Sequence, residues 1–164
     1  METFDAICKR VSVREYQSEP IKKELLEKLV DSGRRAPTAR SVEPWEFIVV
    51  QDKNNLNKIS EIAENGVFIK HSAACIVVFC KDTKYYLEDG CAAIENILIS
   101  AADSGLGACW VAGDKKPYVS EIAELLNASL DLKLIGLISL GRPKQEVFQK
   151  KSRCLEDVLH WEMF

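Results

Sequence analysis

The 164-residue sequence has no unbroken apolar stretch near the roughly 18 residues of a membrane span, so none is expected. It has no Cys-x-x-Cys pair, and its two histidines, His71 and His160, lie far apart. Zinc and iron–sulfur ligand spacings are therefore absent. There is no excess of positive charge: 22 Lys and Arg against 25 Asp and Glu give a net charge of -3. That argues against a general nucleic-acid binder and leaves room for a local basic site. Internal repeats and low-complexity segments are missing. So is a nucleophile elbow; Ser, His and Asp are scattered without an arrangement that suits covalent catalysis. The opening METFDAICKR is too polar for a secretory signal, so a cytoplasmic protein is expected.

What is present suits one domain over residues 1–164, with 47% hydrophobic residues to fill a core. Six cysteines need an account: Cys8, Cys75, Cys80, Cys91, Cys109 and Cys154. Four of them, Cys75, Cys80, Cys91 and Cys109, stand in apolar runs, where free Cys packs as a small hydrophobe. The other reading is one reactive thiol, with Cys109 beside a turn as its candidate.

The pattern predicts a short helix over 3–9, an extended RVSVREY, and a second helix capped by Ser18 with Pro20 in its first turn. A strand follows at 45–52, then an amphipathic helix at 54–65, a buried strand at 75–80 and a long helix at 86–104. That helix is apolar nearly all round at AAIENILISAA and should be central. A short strand at 108–113, a helix opened by Pro117 and a last core strand at 132–141 complete the order. Alternating strands and helices suggest a parallel α/β sheet by pattern alone. The close, CLEDVLHWEMF, is too apolar for a free terminus, and a second subunit is one place to bury it.

The chemistry concentrates in a few stretches. In RVSVREY, Arg10, Ser12 and Arg14 alternate with Val11 and Val13, so the donors share one face of an extended chain. The row reads either as a solvated strand edge or as part of an anion grip. A second basic cluster, Lys150, Lys151 and Arg153, lies near the far end, and Arg34 and Arg35 precede the loop APTARSVEPW. GLGACW, 105–110, is no dinucleotide fingerprint: Trp110 replaces the third glycine, and the motif leaves a helix to enter a strand. It reads as a helix C-cap and tight turn, although two glycines also let a flat ligand approach the backbone. Glu88 and Asp89 open the long helix, where acids favour the macrodipole. Phosphate donors without acid, base, nucleophile or metal point to chemistry carried by a cofactor.

These motifs together resemble the nitroreductase family of FMN-dependent oxidoreductases in its short form. The Arg-x-Ser-x-Arg segment is Arg10, Ser12 and Arg14. The Arg-Ala-Pro-Ser-like loop is Arg35-Ala36-Pro37-Thr38, and the Pro-Trp-x-Phe that follows is Pro44 to Phe47. Asp89, Cys91, Ala93 and Asn96 match the central-helix pattern loosely, and Gly105 to Trp110 match the Gly-Leu-Gly turn. Leu140 to Pro143, the Lys-x-Arg of Lys151 and Arg153, and His160-Trp161 follow in order. Ser41 and Glu43 depart from the family's usual Asn and Gln.

The resemblance implies an α+β fold, a largely antiparallel central sheet flanked by helices, and a homodimer that exchanges C-terminal arms. It implies FMN as cofactor, NADH or NADPH as electron donor, and ping-pong hydride transfer through flavin N5 to a nitroaromatic, quinone or similar small acceptor. The implied cofactor contacts are Arg10, Ser12, Lys151 and Arg153 at the phosphate and Arg14 toward the ribityl chain or pyrimidine edge. Val11 belongs to the same segment. Pro37, Thr38 and Ala39 would pack on the flavin from the other subunit, with Ser41 and Arg35 nearby, and Gly107 would line the ring. No catalytic side chain and no metal is implied. The alternatives are a flavin-binding electron-transfer or storage protein without general reductase activity, and a phosphate- or nucleotide-binding module without flavin.

Overall fold

A computed structural model describes residues 2–148 and 151–164. Two strands, buried throughout except at Lys133, form the middle of a four-stranded sheet with order β1-β2-β4-β3. These are β1 (Trp45–Val50), β2 (Ala74–Cys80), β3 (Gly107–Ala112) and β4 (Lys133–Gly141). Every neighbouring pair is antiparallel. The parallel sheet expected from alternation is therefore wrong, and the antiparallel sheet implied by the resemblance is right. Alternation of strands and helices does not fix direction. Here the chain leaves β2 through a long helix and returns at the opposite edge, so β2 meets β4, not β3, in the middle of the sheet.

Helices cover both faces. On one, α2 (Lys23–Arg34) and α4 (Tyr86–Asp103) pack Leu26, Leu29, Ile94 and Ile97 against Ile76, Val78, Ile138 and Leu140. On the other, α3 (Lys53–Ile62) and α5 (Val119–Leu125) bury Leu56, Ile59 and Ile122 against Val77, Phe79 and Leu137. The short α1 (Thr3–Lys9) lies against α4. The period-2 alternation of β2 and β4 explains the two cores. A bulge breaks it once: Val78 faces Gly136 but Phe79 faces Leu134, so Ile135 is extra. Leu134 and Leu137 consequently serve one core and Ile135 and Ile138 the other.

Local chemistry sets the start of α3 and the end of α4. The Asp52 carboxylate accepts from the Asn55 N–H at 2.9 Å and caps α3. Ser18 caps nothing: α2 begins at Lys23, with Lys22 at its N-cap and no side-chain bond there, and Pro20 lies before it. Likewise α5 opens at Val119 rather than Pro117. The long helix ends as expected. Leu106 N–H donates to Ala101 O at 2.9 Å and Gly105 N–H to Ala102 O at 3.1 Å, a Schellman pair. Gly105 sits at φ 71°, left-handed, with open space where a side chain would stand. Gly105→Ala should therefore lower stability through backbone conformation alone, by about 1–2 kcal/mol, read as a lower urea midpoint with an unchanged slope.

Candidate functional site

Segment 10–16 runs along the free edge of β3. Val13 N–H donates to Ala108 O at 2.9 Å, and Ser12 bridges Ala108 in parallel sense. Val13 is buried and fills the space at Gly107; an added Cβ there would stand 2.7 Å from Val13 Cβ. Gly107 is thus required by close approach of the protein's own chain. Downstream, the buried Tyr16 hydroxyl donates to Val13 O at 2.5 Å and lies 2.6 Å from Ser139 Oγ. Burial raises its pKa well above the usual phenol value, so it stays protonated.

With the segment fixed, the expected donor row forms. Arg10 and Ser12 line one hollow of about 310 Å³ with Glu95, Leu98 and Trp110. Arg10 also lines a larger groove of about 790 Å³ that takes in Val11, the Gly105–Gly107 turn and residues 143–148. Arg14 borders a third, of about 160 Å³, with Phe68, Cys109 and Trp110. Its guanidinium carbon lies 5.6 Å from the Phe68 ring centroid. The three concavities follow the β3 edge in the order Arg10, Ser12, Arg14. Arg10 Nε stands 3.9 Å from Glu95 Oε1. Glu95 and Phe68 escaped the sequence reading, because nothing in their spacing ties them to the donor row.

Trp110 shares two of these hollows, and its Nε1 is buried against Gly136 without a hydrogen-bond partner. Cys109 is buried on β3. Burial pushes its thiol up, and Arg14, a Ser12 hydrogen bond and Arg10 offset this only in part. A raised thiol is a poor nucleophile at neutral pH, so the geometry favours packing over reactivity. Burial also pushes Cys75 and Cys80 up, to about 12.

The loop Pro37-Thr38-Ala39 stands apart from the donor row: it lines none of the three hollows above. Thr38 Oγ1 and the Ala39 N–H each donate to the Asp89 carboxylate at 2.9 Å, and Asp89 is 5% exposed. Asp89, read from sequence as a helix-dipole acid, is the anchor of this loop. Arg40, Ser41 and Glu43 beyond it are all left-handed, with φ of 60°, 54° and 50°. Arg35 is exposed and bonded to Asp31 at 2.7 Å, and Arg34 shares that carboxylate. The C-terminal Lys151 and Arg153 are exposed, and Arg153 donates within its own arm to Asp157 O. Neither lines the two hollows described for Arg10, and Lys150 lies outside the described residues.

A family model described as the nitroreductase family matches residues 7–86 and 65–142. The chain belongs to the nitroreductase family. A relative from Archaeoglobus fulgidus, provisionally named an NADH dehydrogenase/NAD(P)H nitroreductase, is 33% identical over 98% of both chains. A solved structure from Parabacteroides distasonis under the same provisional name superposes with a TM-score of 0.93 at 30% identity, covering 100% of this chain and 99% of that one. An FMN-dependent nitroreductase from Clostridium difficile gives a TM-score of 0.90 at 27% identity, covering 98% and 99%. The nitroreductase fold is thereby established.

The Asp89 anchor carries its own test. Asp89→Ala leaves the Thr38 hydroxyl and Ala39 N–H without their acceptor, and should cost about 1.5–3 kcal/mol. Asp89→Asn, which keeps an acceptor oxygen, should lose less. Denaturant unfolding of both variants measures the difference.

Proposed function

We propose that the chain is an FMN-dependent NAD(P)H oxidoreductase that works as a homodimer. The observation that carries this reading is the convergence of Arg10 and Ser12 on one hollow at the β3 edge, beside the Gly105–Gly107 turn, in a nitroreductase-family chain. The donor set fits FMN. A guanidinium and a hydroxyl suit a phosphate. Arg14 lies four residues on, about 13 Å along an extended strand, where a long cofactor reaches. The Clostridium difficile neighbour is named FMN-dependent, and a Bacillus subtilis relative, 26% identical, is named FMN reductase [NAD(P)H].

Bound FMN supplies reversible two-electron hydride chemistry at its N5. The residues of this chain bind and orient it. Arg10 and Ser12 hold the phosphate, joined by Lys151 and Arg153 when the arm comes over them, and Val11 packs beside them. Arg14 sets positive charge toward the ribityl chain or the pyrimidine edge, where reduction builds negative charge. Gly107 and its neighbours present backbone to the ring. Pro37, Thr38 and Ala39, with Ser41 and Arg35 nearby, reach the site from a second subunit; their separation from the donor row within one chain favours that arrangement.

NADH or NADPH and then a nitroaromatic, quinone or similar acceptor occupy the same open pocket in turn, a ping-pong order. No second nucleotide fold is needed for that. The exposed apolar arm supports the dimer: Phe148, Trp161 and Met163 are 82%, 80% and 81% exposed in one chain, a surface that calls for cover.

Protein as isolated should be yellow and should bleach on anaerobic addition of NADH or NADPH. Colour without bleaching would favour a flavin carrier, and colourless protein that leaves FMN fluorescence unquenched would end the flavin reading. Arg10→Ala should weaken FMN binding by about 1.5–3 kcal/mol, the scale of a charged hydrogen bond, as followed by fluorescence quenching; unchanged affinity counts against the phosphate assignment. Deleting residues 155–164 should weaken the dimer in sedimentation, and a fully dimeric truncated protein would rule out the exchanged arm.

A further inference from the structure

Beyond Arg14, on the side away from Trp110, lies a basin of about 550 Å³ that the reading above does not use. Arg14, Lys53, Lys70 and Lys144 line it, with His71 among them and Glu15 as its one carboxylate. The four cations come from four separate places: the 10–16 segment, the start of α3, the turn before β2, and the chain after β4. No local pattern brings them together; the fold does.

Their charge is left free. Lys53 Nζ donates to the Ser72 carbonyl at 2.9 Å, which fixes the side chain without neutralising it. The backbone N–H of Lys144 donates to Glu15 O at 3.1 Å, which fixes that corner of the rim. Among the described residues, no carboxylate lies within 4.0 Å of Arg14, Lys53, Lys70 or Lys144. Converging unpaired cations on a chain of net charge -3 repel one another. An anion with several charges removes that repulsion and gains charge-assisted hydrogen bonds.

We propose that this basin binds the phosphates of the nicotinamide donor, the 2′-phosphate included, and so selects NADPH over NADH. The inference rests on the reading of the chain as an NAD(P)H-dependent flavoprotein and deepens it by naming the donor. Arg14 lines both the basin and the hollow holding Cys109 and Trp110, so one side chain adjoins the two. The charge balance selects between donors. A 2′-phosphate adds about 1.5 to 2 negative charges at pH 7 to those of the pyrophosphate. That total suits four cations against one carboxylate better than the pyrophosphate alone.

Two measurements on the full chain test this, with the variant Lys70→Ala, whose side chain is exposed and lines none of the hollows assigned to the flavin. The first is calorimetric titration with adenosine 2′,5′-bisphosphate and, separately, inorganic pyrophosphate. The bisphosphate should bind wild type and weaken about ten- to a hundredfold in the variant, with its affinity falling as salt rises. The second is steady-state kinetics: KM for NADPH should rise while kcat holds, and KM for NADH should move less. Absent bisphosphate binding, binding unchanged in the variant, or pyrophosphate binding as tightly as the bisphosphate would each overturn the proposal. FMN retention is read separately by absorbance, so a protein that takes the bisphosphate and no FMN refutes the flavoprotein reading alone.

Discussion

The contact between Val13 and Gly107 is the constraint on which the site depends. The hydrogen bond from Val13 N–H to Ala108 O holds the segment to the β3 edge, and the missing side chain at Gly107 lets it come that close. Everything polar follows by periodicity. Once Val13 points inward, its neighbours Ser12 and Arg14 must point outward. Tyr16 then closes the far end on Ser139. A site built this way takes its precision from a buried apolar contact, while the charged groups it presents need no partner within the chain.

That arrangement divides the surface charge into two kinds. Arg34 and Arg35 lean on Asp31, and Lys133 on Asp82 at 3.1 Å. Such exposed pairs contribute little to stability. The donors along and beyond the β3 edge are differently placed. Arg10 has a carboxylate only at 3.9 Å, and Arg14 rests on the Phe68 ring. Charge without a close counter-ion is costly to assemble where several cations converge, and useful for binding.

How much of this could be read from the residues depends on range. The central helix, its glycine stop and the fully apolar β2 are local in origin and were legible. Strand direction was not, because β2 meets β4 across two helices and β3; only the family resemblance supplied the antiparallel sheet. The bulge at Ile135 also escaped, since an extra residue in an apolar strand leaves no mark in an all-apolar run. In the site, the spacing of Arg10, Ser12 and Arg14 was legible as a row of donors, because period 2 is written in the sequence. The anchor at Asp89 was not, because its partners Thr38 and Ala39 lie about fifty positions away. The basin shows the same limit, its cations drawn from positions 14, 53, 70 and 144.

The strand order β1-β2-β4-β3 also bears on how the chain comes into being. The middle of the sheet is the β2–β4 pair, and β4 ends at Gly141 of 164 residues. During synthesis the β1–β2 pair emerges first and leaves one edge of β2 unpaired until β4 is made. Neither core can close before then, since β4 contributes to both. Long-range pairing of this kind slows folding and leaves strand edges open to other chains. Until β4 is in place, the partly made chain is the state most open to aggregation.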